Sequence, residues 1–239
     1  EVPSWRPDVA SKIDLVEEII RIKGLDSIKS IEPEKKRINQ TLNYEQKHFH
    51  LAQRSVAARG YLEAITWSFT NEKINNHFLN NRKINKLINP ISSDLSVLRS
   101  SIFSNLVQKV KENIDRGEEN ISLFEIGPIF EGKNPGDQII NVCAISSGYA
   151  SNPNWNEKGR YIDLFDVKKD LLHTLYELGT EKNQIVIETT NLPNYYHPGK
   201  SGNISFINNK NNYFASFGEL HPNIINQLDI KTNSLIGFE

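Results

Sequence analysis

Apolar residues fall at helical spacing in some stretches of this chain and alternate or run together in others. In the stretch IDLVEEIIRIKGL, Leu15, Val16, Ile19, Ile20 and Ile22 form a broad apolar stripe, the pattern of an amphipathic helix with a buried face. Asp14 reads as its N-cap, with Glu17 at capping-box spacing, and Gly24 reads as its stop. A second helix is expected from Asn43 to Arg59, ending at Gly60, and Tyr61–Phe69 follows as a strand rich in aromatic and β-branched residues. A short strand ends at Ile88–Pro90. Leu98, Ile102, Leu106, Val110 and Ile114 then follow helical spacing and predict a helix from Val97 to Asp115, capped by Asp94 or Ser96.

The second half of the chain is richer in strands. Ile121–Phe130 and Gln138–Gly148 are strand-like, and a polar loop around Trp155 leads to a long helix from Asp166 to Leu178, stopped by Gly179. Strands are expected at Ile185–Thr189, Gly202–Ile207 and Tyr213–Leu220, then a short helix at Pro222–Leu228 and a last strand at Leu235–Glu239. Long helices mixed with hairpin-connected strands predict an α+β fold with a mainly antiparallel sheet flanked by helices. Residues 1–33 are too few for a core of their own and read as the end of a small domain, 34–40 as a polar linker and 41–239 as the main domain.

Composition narrows the class. Of 239 residues, 38% are hydrophobic and 24% charged, which is ordinary for a soluble globular protein. No apolar run approaches the roughly 18 residues of a membrane span, and no signal peptide is evident; a cytoplasmic location is expected. The net charge is −1 with both signs spread along the chain, which argues against a chain whose main task is gripping a phosphate backbone. The lone Cys143, in the apolar run INVCAISS, excludes an internal disulfide and reads as a small core residue. The chain starts at Glu1 and contains no methionine, so it is expected to be an internal piece of a longer protein.

Candidate chemistry is sparse. Asp8, Asp14, Glu17 and Glu18 crowd the start of one helix and the loop before it. Hard cations such as Mg²⁺ take carboxylate oxygens, while acids in a first turn also cap amides and complement the helix dipole, so spacing alone leaves both readings open. His48 and His50 sit on different faces of their helix; His197 and His221 each precede a proline, where structural hydrogen bonding is the commoner role. YYHPGKSGN has a lysine among glycines but not the spacing of a P-loop. No nucleophile elbow, H-E-x-x-H or Ser–His–Asp set declares itself.

Seven stretches, in order, resemble the β subunit of bacterial phenylalanyl-tRNA synthetase: WRPDVASKIDLVEEIIRIKGLDSI, QRSVAARGYLEAITWSF, NPISSDLSVLRSSIFSNLVQKVKENIDRG, ISLFEIGPIF, DLFDVKKDL, HPGKSGNI and FGELHPNI. The resemblance covers nearly the whole chain. It implies the end of a metal-binding, winged-helix-like domain followed by a domain like the catalytic core of class II aminoacyl-tRNA synthetases. The helix from Asn43 and the strand after it take the place of motif one, which builds subunit interfaces in that class. ISLFEIGPIF takes the place of motif two, where an active enzyme carries an arginine in F-R-x-E; here Leu123-Phe124-Glu125-Ile126 has none. Gly237-Phe238-Glu239 likewise ends without the arginine of motif three. Lacking cations to offset the charge of adenylate formation, the piece is expected to be a non-catalytic relative.

As the resemblance implies, it would pack on the catalytic α subunit of an (αβ)₂ heterotetramer that joins phenylalanine to tRNA(Phe) with ATP. The resemblance also assigns Asp8, Asp14, Glu17 and Glu18 to a Mg²⁺ site at the junction with that subunit. Leu25, Lys29 and Lys169 depart from the family's usual tyrosine, proline and glycine, which puts local loop shapes in question and leaves the four acids untouched. The alternative is a free-standing, synthetase-like module that binds nucleic acid without catalysis.

Overall fold

The computed structural model describes residues 1–34 and 41–239; of the expected linker, all but Glu34 lies outside the described residues. Two compact units are present, Glu1–Thr41 and Leu42–Glu239.

The first unit holds helix α1 (Lys12–Lys23) and a single 3₁₀ turn at Leu25–Ser27. The helix starts earlier than the sequence suggested. Ser11, with extended dihedrals, is the N-cap, and the Asp14 carboxylate folds back to accept from the amides of Ala10 and Ser11 at 2.9 and 2.6 Å. Asp14 is therefore the third helical residue rather than the cap, and Glu17 takes no part in capping. Gly24 ends the helix at φ 86°, its amide donating to Ile20 at 2.7 Å; a positive φ costs glycine little. The apolar stripe forms, but no α1 residue is buried, and Leu15, Val16, Ile19 and Ile22 are exposed. Among the described residues of this unit, a short helix and one turn give the stripe nothing to pack against.

The second unit begins with α2 (Tyr44–Ala57), capped reciprocally: Asn43 accepts from the Gln46 amide at 2.8 Å, and the Gln46 side chain accepts from the Asn43 amide at 2.9 Å. The expected strand 61–69 is two short ones, β1 (Leu62–Glu63) and β2 (Phe69–Thr70). Helix α3 (Glu72–His77), not foreseen from the polar run NEKINNH, is started by the Asn71 side chain accepting from the Lys73 amide. Next come β3 (Asn85–Lys86), β4 (Val97–Leu98) and α4 (Phe103–Ile114). The long strands β5 (Ile121–Phe130) and β6 (Gln138–Ser147) pair in unbroken register from Ile121↔Ser147 to Phe130↔Gln138. The small ribbon β7 (Tyr149–Ser151) and β8 (Arg160–Tyr161) precedes α5 (Leu164–Glu177), whose N-cap is Asp163. Strands β9 (Ile185–Glu188), β10 (Tyr196–Phe206) and β11 (Asn209–Leu220), helix α6 (Pro222–Gln227) and strand β12 (Ile236–Phe238) complete the chain.

The main sheet has the order β1-β5-β6-β12-β11-β10-β9. Only β1 pairs in parallel, with β5; every other pairing in it is antiparallel. Side chains alternate between its faces. One set, including Ile121, Ile129, Cys143, Ile145, Leu220 and Leu235, joins a core with α3, α4 and α6 through Phe78, Phe103, Leu106 and Ile224. The other, including Phe124, Ile126, Ala144, Phe217, Ile236 and Phe238, packs with Ala52 and Val56 of α2 and Val167 and Leu171 of α5. Helices on both faces of an antiparallel sheet are the architecture expected from the sequence. Burial pushes the Cys143 thiol well above its usual range, in keeping with an inert core residue. Among the described residues, no helix is long and apolar enough to cross a membrane.

Candidate functional site

The four acids of the first unit are already engaged in different ways. The Arg6 guanidinium straddles Asp8 and Glu18: Nε lies 3.0 Å from both Asp8 oxygens, and Nη2 lies 2.7 Å from Asp8 Oδ2 and 2.5 Å from Glu18 Oε1. Arg21 adds Nη2 at 2.8 Å from Glu18 Oε2. Hydrogen bonds from Arg6, and for Glu18 also from Arg21, hold the Asp8 and Glu18 carboxyls below their usual range. The amide bonds from Ser11 and Ala10 do the same for Asp14. Glu17 is exposed. The structure thus brings Asp8 and Glu18 onto one cation, keeps Asp14 on the helix cap and leaves Glu17 outward. Among the described residues, no three His, Cys, Asp or Glu converge on a point where they could hold a metal ion. The donor chemistry, hard carboxylate oxygen, fits Mg²⁺, and Arg6 stands between two of these donors as a cation of the chain's own.

The other candidates resolve into structural roles. His197 Nδ1 accepts from the Gly199 amide at 3.0 Å within β10, and His221 Nδ1 accepts from the Asn223 amide at 3.2 Å as the N-cap of α6. Those bonds place the proton of each neutral ring on Nε2. The HPGKSGN run is not a phosphate loop but part of β10, and Lys200 pairs with Glu219 across the hairpin at 2.6 Å.

A polar site that the sequence did not reveal lies on the α4 face of the main sheet. The helix expected from Val97 begins only at Phe103, because the residues before it are drawn onto the sheet. Arg99 (1% exposed) meets Glu125 (3% exposed) on β5 at 2.6 Å. Arg99 Nη1 also donates to Thr66 Oγ1 at 3.0 Å and Nε to the Pro128 carbonyl at 2.9 Å. Thr66 in turn donates to Glu125 Oε2 at 2.6 Å. Two residues on, Ser101 accepts from the Phe103 amide and donates to Glu239. Asn141 Nδ2 donates to the other Glu239 oxygen at 2.8 Å, and Arg82 Nη1 lies 3.8 Å away. Arg82 also holds the Ser100 carbonyl at 3.0 Å. Burial pushes the Glu239 carboxyl above its usual range, opposed by Ser101, Arg82 and Asn141.

Three glycines carpet this face, and each is covered by a side chain of the same unit. A Cβ on Gly127 would stand 2.5 Å from Arg99 Nη2, one on Gly237 2.6 Å from the Phe103 ring, and one on Gly218 2.8 Å from Tyr196. The sheet face is thus filled from within by a guanidinium and two aromatic rings. Sequence reasoning missed Arg99 because a helical period runs through it; the pair Ser100-Ser101 ahead of the apolar run was the available sign of a later helix start.

Comparisons with known proteins follow this geometry. The family model described as the phenylalanyl tRNA synthetase beta chain CLM domain matches residues 28–239, and the tRNA synthetase B5 domain matches residues 1–25. The chain is 38% identical over 240 residues to the phenylalanine–tRNA ligase beta subunit of Paramagnetospirillum magneticum, covering 99% of this chain and 29% of that protein. It is 34% identical to the beta subunit of Rhodospirillum rubrum over 99% of this chain and 29% of the relative. A Wolbachia relative, also a phenylalanine–tRNA ligase beta subunit, is 38% identical over 100% of this chain. The chain therefore spans about 29% of the length of these relatives. In fold it is similar to Desulfitobacterium hafniense PylSc, a pyrrolysyl tRNA synthetase, at a TM-score of 0.57 and 11% identity over 82% of this chain and 65% of that one. A second structure of pyrrolysyl-tRNA synthetase from the same organism gives 0.56 at 13% identity, over 80% of this chain and 64% of that one.

The buried pair sets a stability test. Replacing Arg99 by Met strands Glu125 without a cation and is expected to cost about 3–5 kcal/mol in urea unfolding. The double variant Arg99→Met/Glu125→Leu should recover much of that loss, since no buried charge is left unpaired; a double variant no better than Arg99→Met alone would show that the pair is not the cause. Glu239 sets a pH test. Its folded-state pKa is raised, so the folded protein holds the proton more tightly than the unfolded one. Stability should fall as pH rises from the ordinary glutamate range through the folded value, then level off. Glu239→Gln should flatten that slope in unfolding measured across the acidic-to-neutral range.

Proposed function

This chain belongs to the phenylalanyl-tRNA synthetase β-chain family, and we propose that it is the architectural part of a phenylalanine–tRNA ligase β subunit, without catalytic activity of its own. In this reading residues 1–33 end a metal-binding domain, 34–40 link, and 41–239 form a synthetase-like core that packs on a catalytic α subunit. The whole (αβ)₂ assembly would join phenylalanine to tRNA(Phe) with ATP in the cytoplasm, and tRNA contact would be made through that assembly.

The observation that carries the non-catalytic part is the fate of Arg99. A site that forms an aminoacyl adenylate needs cations aimed at phosphate and at the developing charge. On the glycine-carpeted face of this sheet the Arg99 guanidinium is buried and bound to Glu125, Thr66 and a carbonyl, and Arg82 is turned to Ser100, Glu131 and Glu239. The near-neutral net charge of −1 favours this reading over a nucleic-acid-binding module.

The four acids are the proposed Mg²⁺ site, with Asp8, Asp14, Glu17 and Glu18 as donors. What supports this is four hard oxygen donors in the loop before α1 and in the first two turns of that helix, and an arginine that already sits on two of them. Closing the site would take further donors from the α subunit or water, since Mg²⁺ prefers six oxygens.

Two measurements test these readings. ATP–pyrophosphate exchange with phenylalanine should stay at background for this chain alone; exchange above background would overturn the scaffold reading. In the assembled α–β complex, Glu17→Ala and Asp14→Ala should each lower retained Mg²⁺. Glu17→Ala is the cleaner of the two, because Asp14 also caps α1. Unchanged metal content in both variants would remove the metal reading.

A further inference from the structure

We draw no further inference here: the strongest candidate, the open apolar groove between helix α2 and strands β5 and β6, lined by Tyr44, Phe49, Ala52, Ile126, Ile140 and Val142, is an unpartnered face, and nothing in the structure shows what covers it.

Discussion

The buried ion pair between Arg99 and Glu125 is the constraint on which the main unit depends. A guanidinium with 1% exposure and a carboxylate with 3% are tolerable inside a protein only when every polar atom is matched. Matching them here fixes the chain on three sides. Thr66 must lie against both groups, which holds the segment after β1 along β5. The Pro128 carbonyl must face Arg99, which sets the far part of β5. The Arg99 backbone bonds Ser68 and Phe130, which lays β4 and the start of α4 across the sheet. Ser101, two residues on, then reaches Glu239 on the segment after β12. One short segment therefore ties the first, middle and last parts of the unit together, and α4 can begin only where that segment lets go.

The same arrangement decides what the sheet can do. An antiparallel sheet with helices on both faces, alike in fold to a pyrrolysyl-tRNA synthetase, has one face lined with glycine. Glycines on a strand let something approach the backbone closely. Here the approaching groups are Arg99, Phe103 and Tyr196 of the chain itself, so the close approach serves packing. Phe103 and Tyr196 belong to an aromatic cluster with Phe78 and Tyr195, the rings 4.6–6.0 Å apart. The proposed scaffold role follows from this: cations that adenylate chemistry would need point inward and are neutralised.

In the first unit, capping and ion pairing engage different acids of the same cluster. Asp14 is needed by two backbone amides, and Asp8 and Glu18 are needed by Arg6. An acid committed to an amide or a guanidinium has fewer lone pairs to offer a metal.

Much of this was legible in the sequence. Period-two and period-3.6 patterns located β5, β6, α2, α5 and the α+β class, because strand and helix geometry are local and the residues that cap and stop them are neighbours. The motif-like stretches placed the family, and the four acids were visible as a cluster. What the sequence could not determine was set by partners far away in the chain. The start of α4 moved from Val97 to Phe103 because Arg99 answers to Glu125, twenty-six positions on. Asp14 proved to be a third helical residue because its carboxylate turned back to Ser11. Glu239 became a buried group with a raised pKa only because β12 inserts between β6 and β11. Local pattern fixes which element a residue prefers. Which buried charge it must satisfy is a property of the packed fold, and there the cost of leaving a charge unmatched outweighs local preference.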